Sequence, residues 1–372
     1  MAKVKPAKTN RSNSRGPSLA SLRHQIDRLD REIVRLANQR ARLAMDIGKL
    51  KDSQGDPVYS PGREEEVIHR ALENNKGPLS PECVRAVFRE LISGSRSLEK
   101  KLKVAYLGPP YSYSHLAALH RFGECVELVP VGNISAVFEE VNRGHANFGI
   151  VPLENSTDGR IADTLDMFTR LPARICGEVQ LRIHHNLLAR CPRGEIQEVY
   201  SRPQALSQCR NWIAKHLPHV RTVEVMSTST AAQLAHDKQG AAAIASLQCA
   251  THYNLDVLAR NIEDQAGNLT RFAVIGDASA ARTGNDKTAV MFEIEHRPGA
   301  LADATAVFKR NRLNLTWIES FPIPRPEGGY LFFVELQGHE HDSRVKRAFD
   351  VLARKCLRFE VLGSYPRSLP LD

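Results

Sequence analysis

In a helix-forming stretch that is apolar at every third or fourth residue, Arg40 occupies a position the spacing reserves for a hydrophobe. A buried guanidinium without a partner is costly, so it should face an anion. Lys51 follows eleven residues later, about three full turns at roughly 100° per residue, so both cations look the same way. Ser95 and Glu99 repeat the anomaly on the apolar face of a later helical stretch, and Arg63 and Glu64 open the stretch between. Cations, a hydroxyl and carboxyl groups turned inward describe a polar pocket for a small polyanion. For Arg40 alone, a buried ion pair with an acid from another helix is the plainer reading. Arg23 lies 17 residues before Arg40, roughly 25 Å along a helix. It can reach the same ligand only from a second copy of the chain, so a dimer is expected if Arg23 belongs to the site.

Other turns carry polar groups beside apolar runs. GPPYSYSHLAA (108–118) enters a helix, where backbone N–H groups and Ser112 or Ser114 suit a carboxylate; a serine N-cap reads equally well. VPLENSTDGRIADT (151–164) sets Glu154, Asn155 and Ser156 directly after a strand-like run, where α/β domains put ligand-contacting loops. A polar turn at Gly159 is the plain alternative. NLTRF (268–272) puts Thr270 and Arg271 at the mouth of a strand, and VYSRPQ (199–204) is another strand-to-helix turn. Gly299, also at such a turn, allows close backbone approach, and Glu319 suits an amino group. The bland reading of these two is a helix start and a strand end. GHEHD (338–342) offers His339, His341 and Asp342 as metal ligands, but it separates a strand-like from a helix-like run and reads as a solvated turn.

Three textures must position these groups. Leu22, Ile26, Leu29, Ile33, Leu36, Arg40, Leu43, Ile47 and Leu50 alternate spacings of four and three, which predicts one long helix with a coiled-coil-like seam. Ser18 is its N-cap and the run ending in Gly55-Asp56-Pro57 its stop. Ser60-Pro61 and Ser80-Pro81 start two shorter helices. No small domain buries a rod of roughly 50 Å by itself. From Lys103 the pattern becomes α/β in two lobes. Strands are expected at 104–107, 126–129, 148–151, 179–188, 198–200, 222–225, 242–244 and 272–275, and helices at 114–122, 134–143, 204–216 and 228–236. After a break at 278–286, the order β 287–295, α 300–311, β 314–321, β 330–337, α 343–355, β 358–364 is the split βαβ, ferredoxin-like arrangement.

The formal charge of the 372 residues, +9, first suggests a polyanionic partner. Its location argues otherwise. Five of the nine charges lie in residues 1–16, a polar tail expected to be disordered, three in 17–102 and one in the rest. No stretch has the apolar core of a secretory signal or the roughly 18 apolar residues of a membrane span. A cytoplasmic protein with neither nucleic acid nor membrane as partner is expected. The seven cysteines form neither a disulfide framework nor a zinc motif and read as small buried hydrophobes.

Segment 18–100 resembles the all-helical class of chorismate mutase, an intertwined dimer of three-helix protomers. The resemblance implies that Arg23 from the partner, Arg40 and Arg63 bind the substrate carboxylates, with Ser95 on a carboxylate, Glu64 on the ring hydroxyl, and Lys51 and Glu99 as catalytic groups at the ether oxygen. Ser60 stands where an acidic residue is sometimes found and contributes its backbone. The family has Gln or Glu at the position of Glu99, and Glu must be protonated to donate. Residues 103–277 resemble prephenate dehydratase through YLGP, SYS, VPLENS, VYS-x-PQ and TRF in the family's order. This implies a two-lobed fold like the periplasmic binding proteins, with Thr270 catalytic and Arg271 an anion binder. Ser112, Ser114, Glu154, Asn155, Ser156, Gln204 and Phe272 would join the cleft. Tyr111 departs from the family's usual Gly, and Arg202 from its His. HRPGALADA (296–304) and IESFPIP (318–324) resemble the effector motifs of the ACT regulatory domain, with Phe321 in place of an arginine. They imply phenylalanine binding by Gly299, Ala300, Leu301, Glu319 and Ser320.

The expected protein is therefore multidomain: a tail (1–16), an all-α mutase domain (17–101), an α/β dehydratase domain (103–278) and an α+β ACT domain (286–365). It would convert chorismate to prephenate and prephenate to phenylpyruvate, with L-phenylalanine as effector, no cofactor and no metal, as a homodimer or higher homo-oligomer. The rivals are a dehydratase acting on arogenate and a non-catalytic amino-acid sensor. The inward cations of the first helix speak against the sensor. A dehydrogenase is disfavoured because no G-x-G-x-x-G follows any strand.

Overall fold

The seam of residues 18–51 forms a single helix, α1 (Leu19–Gln54), in a computed structural model that describes residues 18–54, 59–157, 159–323 and 329–371. The N-terminal tail and the stop at 55–57 lie outside those residues. Ser18 Oγ accepts from the Ser21 N–H at 3.2 Å, the capping bond expected of it. α2 (Pro61–Asn74) and α3 (Pro81–Glu99) each begin with proline, whose missing N–H is no loss in a first turn. α3 packs on both α1 and α2. The seam of α1 nevertheless stays in water, with Ile33 62% and Leu50 63% exposed. An apolar stripe of that length has not met its packing partner within one chain.

The first α/β lobe holds β1 (Lys103–Leu107), α4 (Tyr113–Phe122), β2 (Glu127–Val131), α5 (Ile134–Asn142), β3 (Phe148–Asn155), β4 (Gly159–Arg160), α6 (Ala162–Arg170) and β5 (Arg174–Arg182). The chain then crosses to a second lobe of β6 (Asn186–Ala189), β7 (Glu198–Ser201), α7 (Pro203–Gln208), α8 (Arg210–His216), β8 (Arg221–Glu224), α9 (Thr228–Asp237), β9 (Ala241–Ala245), α10 (Leu247–His252) and β10 (Asp256–Ala259), and returns as β11 (Leu269–Gly276). The second sheet runs β10-β6-β9-β7-β8. The single strand expected at 179–188 is two strands in different sheets. The break falls at His184-His185, where Glu263 accepts from the His185 N–H at 3.0 Å and meets His184 Nδ1 at 2.8 Å. The helix expected at 204–216 also divides, because Asp264 accepts from the Asn211 and Trp212 N–H groups and starts α8 afresh.

The C-terminal unit is βαββαβ as expected: β12 (Asp286–Glu293), α11 (Ala300–Arg310), β13 (Leu315–Pro322), β14 (Tyr330–Gln337), α12 (Ser343–Lys355) and β15 (Arg358–Pro366), in sheet order β13-β14-β12-β15. The chain end then comes back: β16 (Pro370–Leu371) pairs with β5, and the first-lobe sheet runs β16-β5-β11-β3-β1-β2, with β4 against β3. One apolar cluster joins Leu153, Phe168 and Ile175 to Met291, Phe333 and Leu362, so the C-terminal sheet shares its core with the first lobe.

Two expectations need correction. His339 is buried and its Nε2 lies 2.9 Å from the Ala280 carbonyl, so it belongs to the packed interior and not to a solvated turn. Cys83 and Cys125 are exposed and Cys191 and Cys356 half-buried, which leaves Cys176, Cys209 and Cys249 as buried thiols. No helix among the described residues is long and apolar enough to cross a membrane.

Candidate active sites

In the helical domain Arg40 is half-buried, and its hydrogen bonds go to α3. Its Nη1 donates to Ser95 Oγ at 2.7 Å and to the Leu91 carbonyl at 3.2 Å, while Ser95 Oγ donates to the same carbonyl at 2.7 Å. Burial, and then the neighbouring Arg63 guanidinium, hold the Arg40 pKa below its ordinary value, against Glu64. Glu99 lies where α3 ends over α1. Burial pushes its carboxyl above the usual range and Glu64 adds to this, while Lys51 and Arg96 pull it down. Its Oε2 is buried without a hydrogen-bond partner among the described residues. Gly48 makes room for it: a Cβ there would stand 2.6 Å from Glu99 Cγ.

One chain thus gathers Arg40, Lys51, Ser95 and Glu99. Arg63 is exposed and pairs with Glu66 at 2.5 Å. Glu64 is held by Arg96, whose Nη2 also donates to the Phe122 carbonyl at the end of α4 at 2.6 Å. Ser60 accepts from the Glu64 N–H through its carbonyl, and its side chain makes no capping bond. Arg23 is exposed in the N-terminal part of α1.

Between the two α/β lobes lies a cavity of about 800 Å³, and Ser112, Ser114, Asn155, Gln204, Thr270 and Phe272 line it. Thr270 and Asn155 are cross-strand partners on β11 and β3. Asn155 Nδ2 donates to Thr270 Oγ1 at 2.8 Å and to Asn268 Oδ1 at 2.9 Å. A hydroxyl that accepts from Asn155 keeps its own proton for a group in the cleft. Asn268 Nδ2 in turn donates to Gln208 Oε1 at 3.0 Å, which also lies 2.8 Å from His185 Nε2, so the polar chain spans both lobes. Burial, against the Gln208 hydrogen bond, keeps the His185 pKa below its ordinary value. Ser112 spends its hydroxyl locally, accepting from the His115 N–H at 3.3 Å and donating to the Leu107 carbonyl at 3.0 Å.

Glu154, Ser156 and Arg271 stand outside this cavity's lining, which corrects the expectation that they share the cleft. Side chains alternate along a strand, so Thr270 and Phe272 on one face put Arg271 on the other. There Arg271 binds Glu154 at 2.8 Å, Glu178 at 3.2 Å and Glu335 at 2.6 Å. Ser156 Oγ accepts from the Leu269 N–H at 2.9 Å, bracing the start of β11. Tyr111 takes φ +63°, the left-handed conformation that favours glycine. Its ring leaves the cavity lining and stacks on His252 of the second lobe at 3.8 Å.

In the C-terminal unit Gly299 has φ +83° at the start of α11, with nothing within 4 Å of an added Cβ. Ala300 is buried and Leu301 exposed. Glu319 pairs at 3.2 Å with Arg160 of β4, which also donates to the Ser320 carbonyl. Phe321 packs on the apolar cluster shared by the two units.

Sequence reasoning missed Gly48, Arg96, His185, Gln208 and Asn268. Period-two alternation through Asn268, Thr270 and Phe272 would have found Asn268 and turned Arg271 away. The others are identified only by partners distant in sequence.

Residues 22–100 match the family model for chorismate mutase type II, 104–280 that for prephenate dehydratase and 288–354 that for the ACT domain. A bifunctional chorismate mutase/prephenate dehydratase of Aquifex aeolicus is 43% identical over 356 residues, 94% of this chain and 98% of that one. A prephenate dehydratase of Arthrobacter aurescens, solved with L-Phe, superposes with a TM-score of 0.66 at 32% identity, covering 72% of this chain and 90% of its own. A solved chain described as a novel type of quorum quenching acylase is also similar, with a TM-score of 0.65 at 26% identity over 72% of this chain and 98% of its own.

Proposed function

The chain belongs to the family of bifunctional chorismate mutase/prephenate dehydratases, and from that premise we propose how its sites divide the work. The helical domain rearranges chorismate to prephenate, the cleft converts prephenate to phenylpyruvate, and phenylalanine acts on the C-terminal unit, in a cytoplasmic enzyme of phenylalanine biosynthesis. The observation that carries this reading is the presence of two unlike polar sites on one chain: a cationic cage with a pKa-raised carboxyl, and an interlobe cleft with an oriented threonine hydroxyl.

Chorismate rearrangement is intramolecular and pericyclic and needs no nucleophile. The protein must hold the compact chair conformer and stabilise charge on the breaking ether. Arg40 suits a substrate carboxylate with Ser95 behind it, and Lys51 and protonated Glu99 suit the ether oxygen. The uncovered seam of α1 supports a dimer, in which Arg23 of a second copy completes the cage.

Prephenate loses its ring hydroxyl as water and its carboxylate as carbon dioxide, and aromatisation drives both losses. Thr270, oriented by Asn155, hydrogen-bonds and positions the departing hydroxyl; a threonine is too weak an acid to be assigned as the proton source. In the C-terminal unit, Gly299, Ala300 and Leu301 would take the effector's backbone, and Glu319 its ammonium group, in exchange for Arg160.

The test is one assay on purified protein: chorismate in, prephenate and phenylpyruvate followed, with and without millimolar phenylalanine. Transient prephenate, then phenylpyruvate slowed by phenylalanine, is expected. Accumulation of prephenate alone would overturn the dehydratase half, and an unchanged rate and melting temperature with phenylalanine the regulatory half.

A further inference from the structure

We propose that Arg271 is a positioning residue for the dehydratase site and that the C-terminal unit supplies the carboxylate that holds it, so the catalytic strand is set from the regulatory sheet. The proposal rests on the dehydratase reading of the cleft. Behind β11, Arg271 and Lys287 meet Glu154, Glu178 and Glu335. β3, β5 and β11 supply three of these groups from the first lobe, while β12 and β14 bring Lys287 and Glu335 from the C-terminal unit. Tyr365 on β15 donates its hydroxyl to Glu335 Oε1 at 2.7 Å, and Glu335 is fully buried. Buried ion pairs of this kind are poor sources of stability, because desolvation offsets their attraction. Their geometric demand is strict.

That demand falls beside a bulge in the ladder of β11 and β3. The register of β11 against β3 shifts between Arg271 and Phe272. The extra residue is Leu153 on β3, so it is β3, carrying Glu154 and Asn155, whose ladder is interrupted, while β11 keeps its register with β5 from Leu269 to Val274; bulges re-aim neighbouring side chains. The pair Arg271–Glu154 sits directly beside the pair Thr270–Asn155, so the side chain that pins the bulge also sets where the Thr270 hydroxyl points. On the other side, Glu335 is the cross-strand partner of Trp317, two residues from Glu319. A shift of β13 on effector binding therefore has a direct route to Thr270.

The experiment measures both reactions in the same preparations of full-length protein, with the mutase rate as the control for folding. Glu335→Gln and Arg271→Lys should each lower dehydratase kcat about tenfold or more, with KM for prephenate and the mutase rate within about twofold of wild type. Tyr365→Phe, which removes one hydroxyl, should lower kcat about threefold and decides the matter if the other two fail to fold. Unchanged kcat with a lowered melting temperature would reduce the network to an interface. A raised KM with intact kcat would return Arg271 to substrate binding. Either result overturns the proposal while leaving the dehydratase reading standing; a wild-type protein without dehydratase turnover sinks that reading first.

Discussion

The helical cage and the interlobe cleft solve one problem, the binding of a small dicarboxylate, in opposite ways. In the cleft, Thr270, Asn155, Asn268, Gln208 and His185 form a polar chain within a single copy. In the helical domain Glu99 Oε2 lacks a hydrogen bond among the described residues, Arg23 is remote, and the seam of α1 lies in water. A site built on two lobes of one chain needs only a crossover to close it. When its cations are strung roughly 25 Å apart along one rod, a second rod is required. If Arg23 of a second copy completes the cage, as proposed, dimerisation is a condition of the mutase activity.

The sharpest way to break that contrast is complementation. Arg23→Ala and Arg40→Ala should each lower mutase kcat/KM by about a thousandfold and leave the dehydratase alone. Co-expressed, the two should recover roughly a quarter of wild-type mutase activity, because one of the two sites in each mixed dimer is intact. No recovery, or a normal Arg23→Ala enzyme, would place both residues' work within one chain. The mirror image is Thr270→Ala, which should cost the dehydratase about a hundredfold in kcat and spare the mutase; near-normal turnover of prephenate removes Thr270 from the mechanism.

A smaller effect separates the sites by pH. Glu99 donates only when protonated, and its pKa is raised, chiefly by burial. Mutase activity should be full below that raised pKa and fall about tenfold per unit above it, while Glu99→Gln stays flat. Matching profiles for the two proteins would show that the carboxyl proton plays no part. The smallest effect belongs to Tyr111→Gly. The ring stacks outside the cavity, so dehydratase kcat should stay within about threefold of wild type, and a larger loss would mean that the stack on His252 sets the gap between the lobes.

Much of both sites was legible in advance. The anomaly of Arg40 and its phase with Lys51 follow from helical period alone, and Thr270 and Asn155 follow from motifs at strand ends. Glu64, read as a ligand for the ring hydroxyl, turns out to be held by Arg96, which also reaches the Phe122 carbonyl of another domain. No local pattern announces such a clamp, since its three members are separated by 32 and 26 residues. The division of the run at 179–188 was hidden for a different reason: apolar residues recur on both sides of His184-His185-Asn186, so composition hides a break at which Glu263, distant in sequence, binds both histidines.

Sequence by itself determined the helical run of α1 and its apolar seam, the βαββαβ order of the C-terminal unit and the order of the motifs. These are short-range properties, set by side-chain period and by the residues that start and stop helices. Tertiary structure alone decided that Arg271 is held by Glu335, 64 residues away in a different sheet. Charge pairing acts through space, and which charges meet is known only once sheets have packed face to face and the chain end has returned to pair with β5.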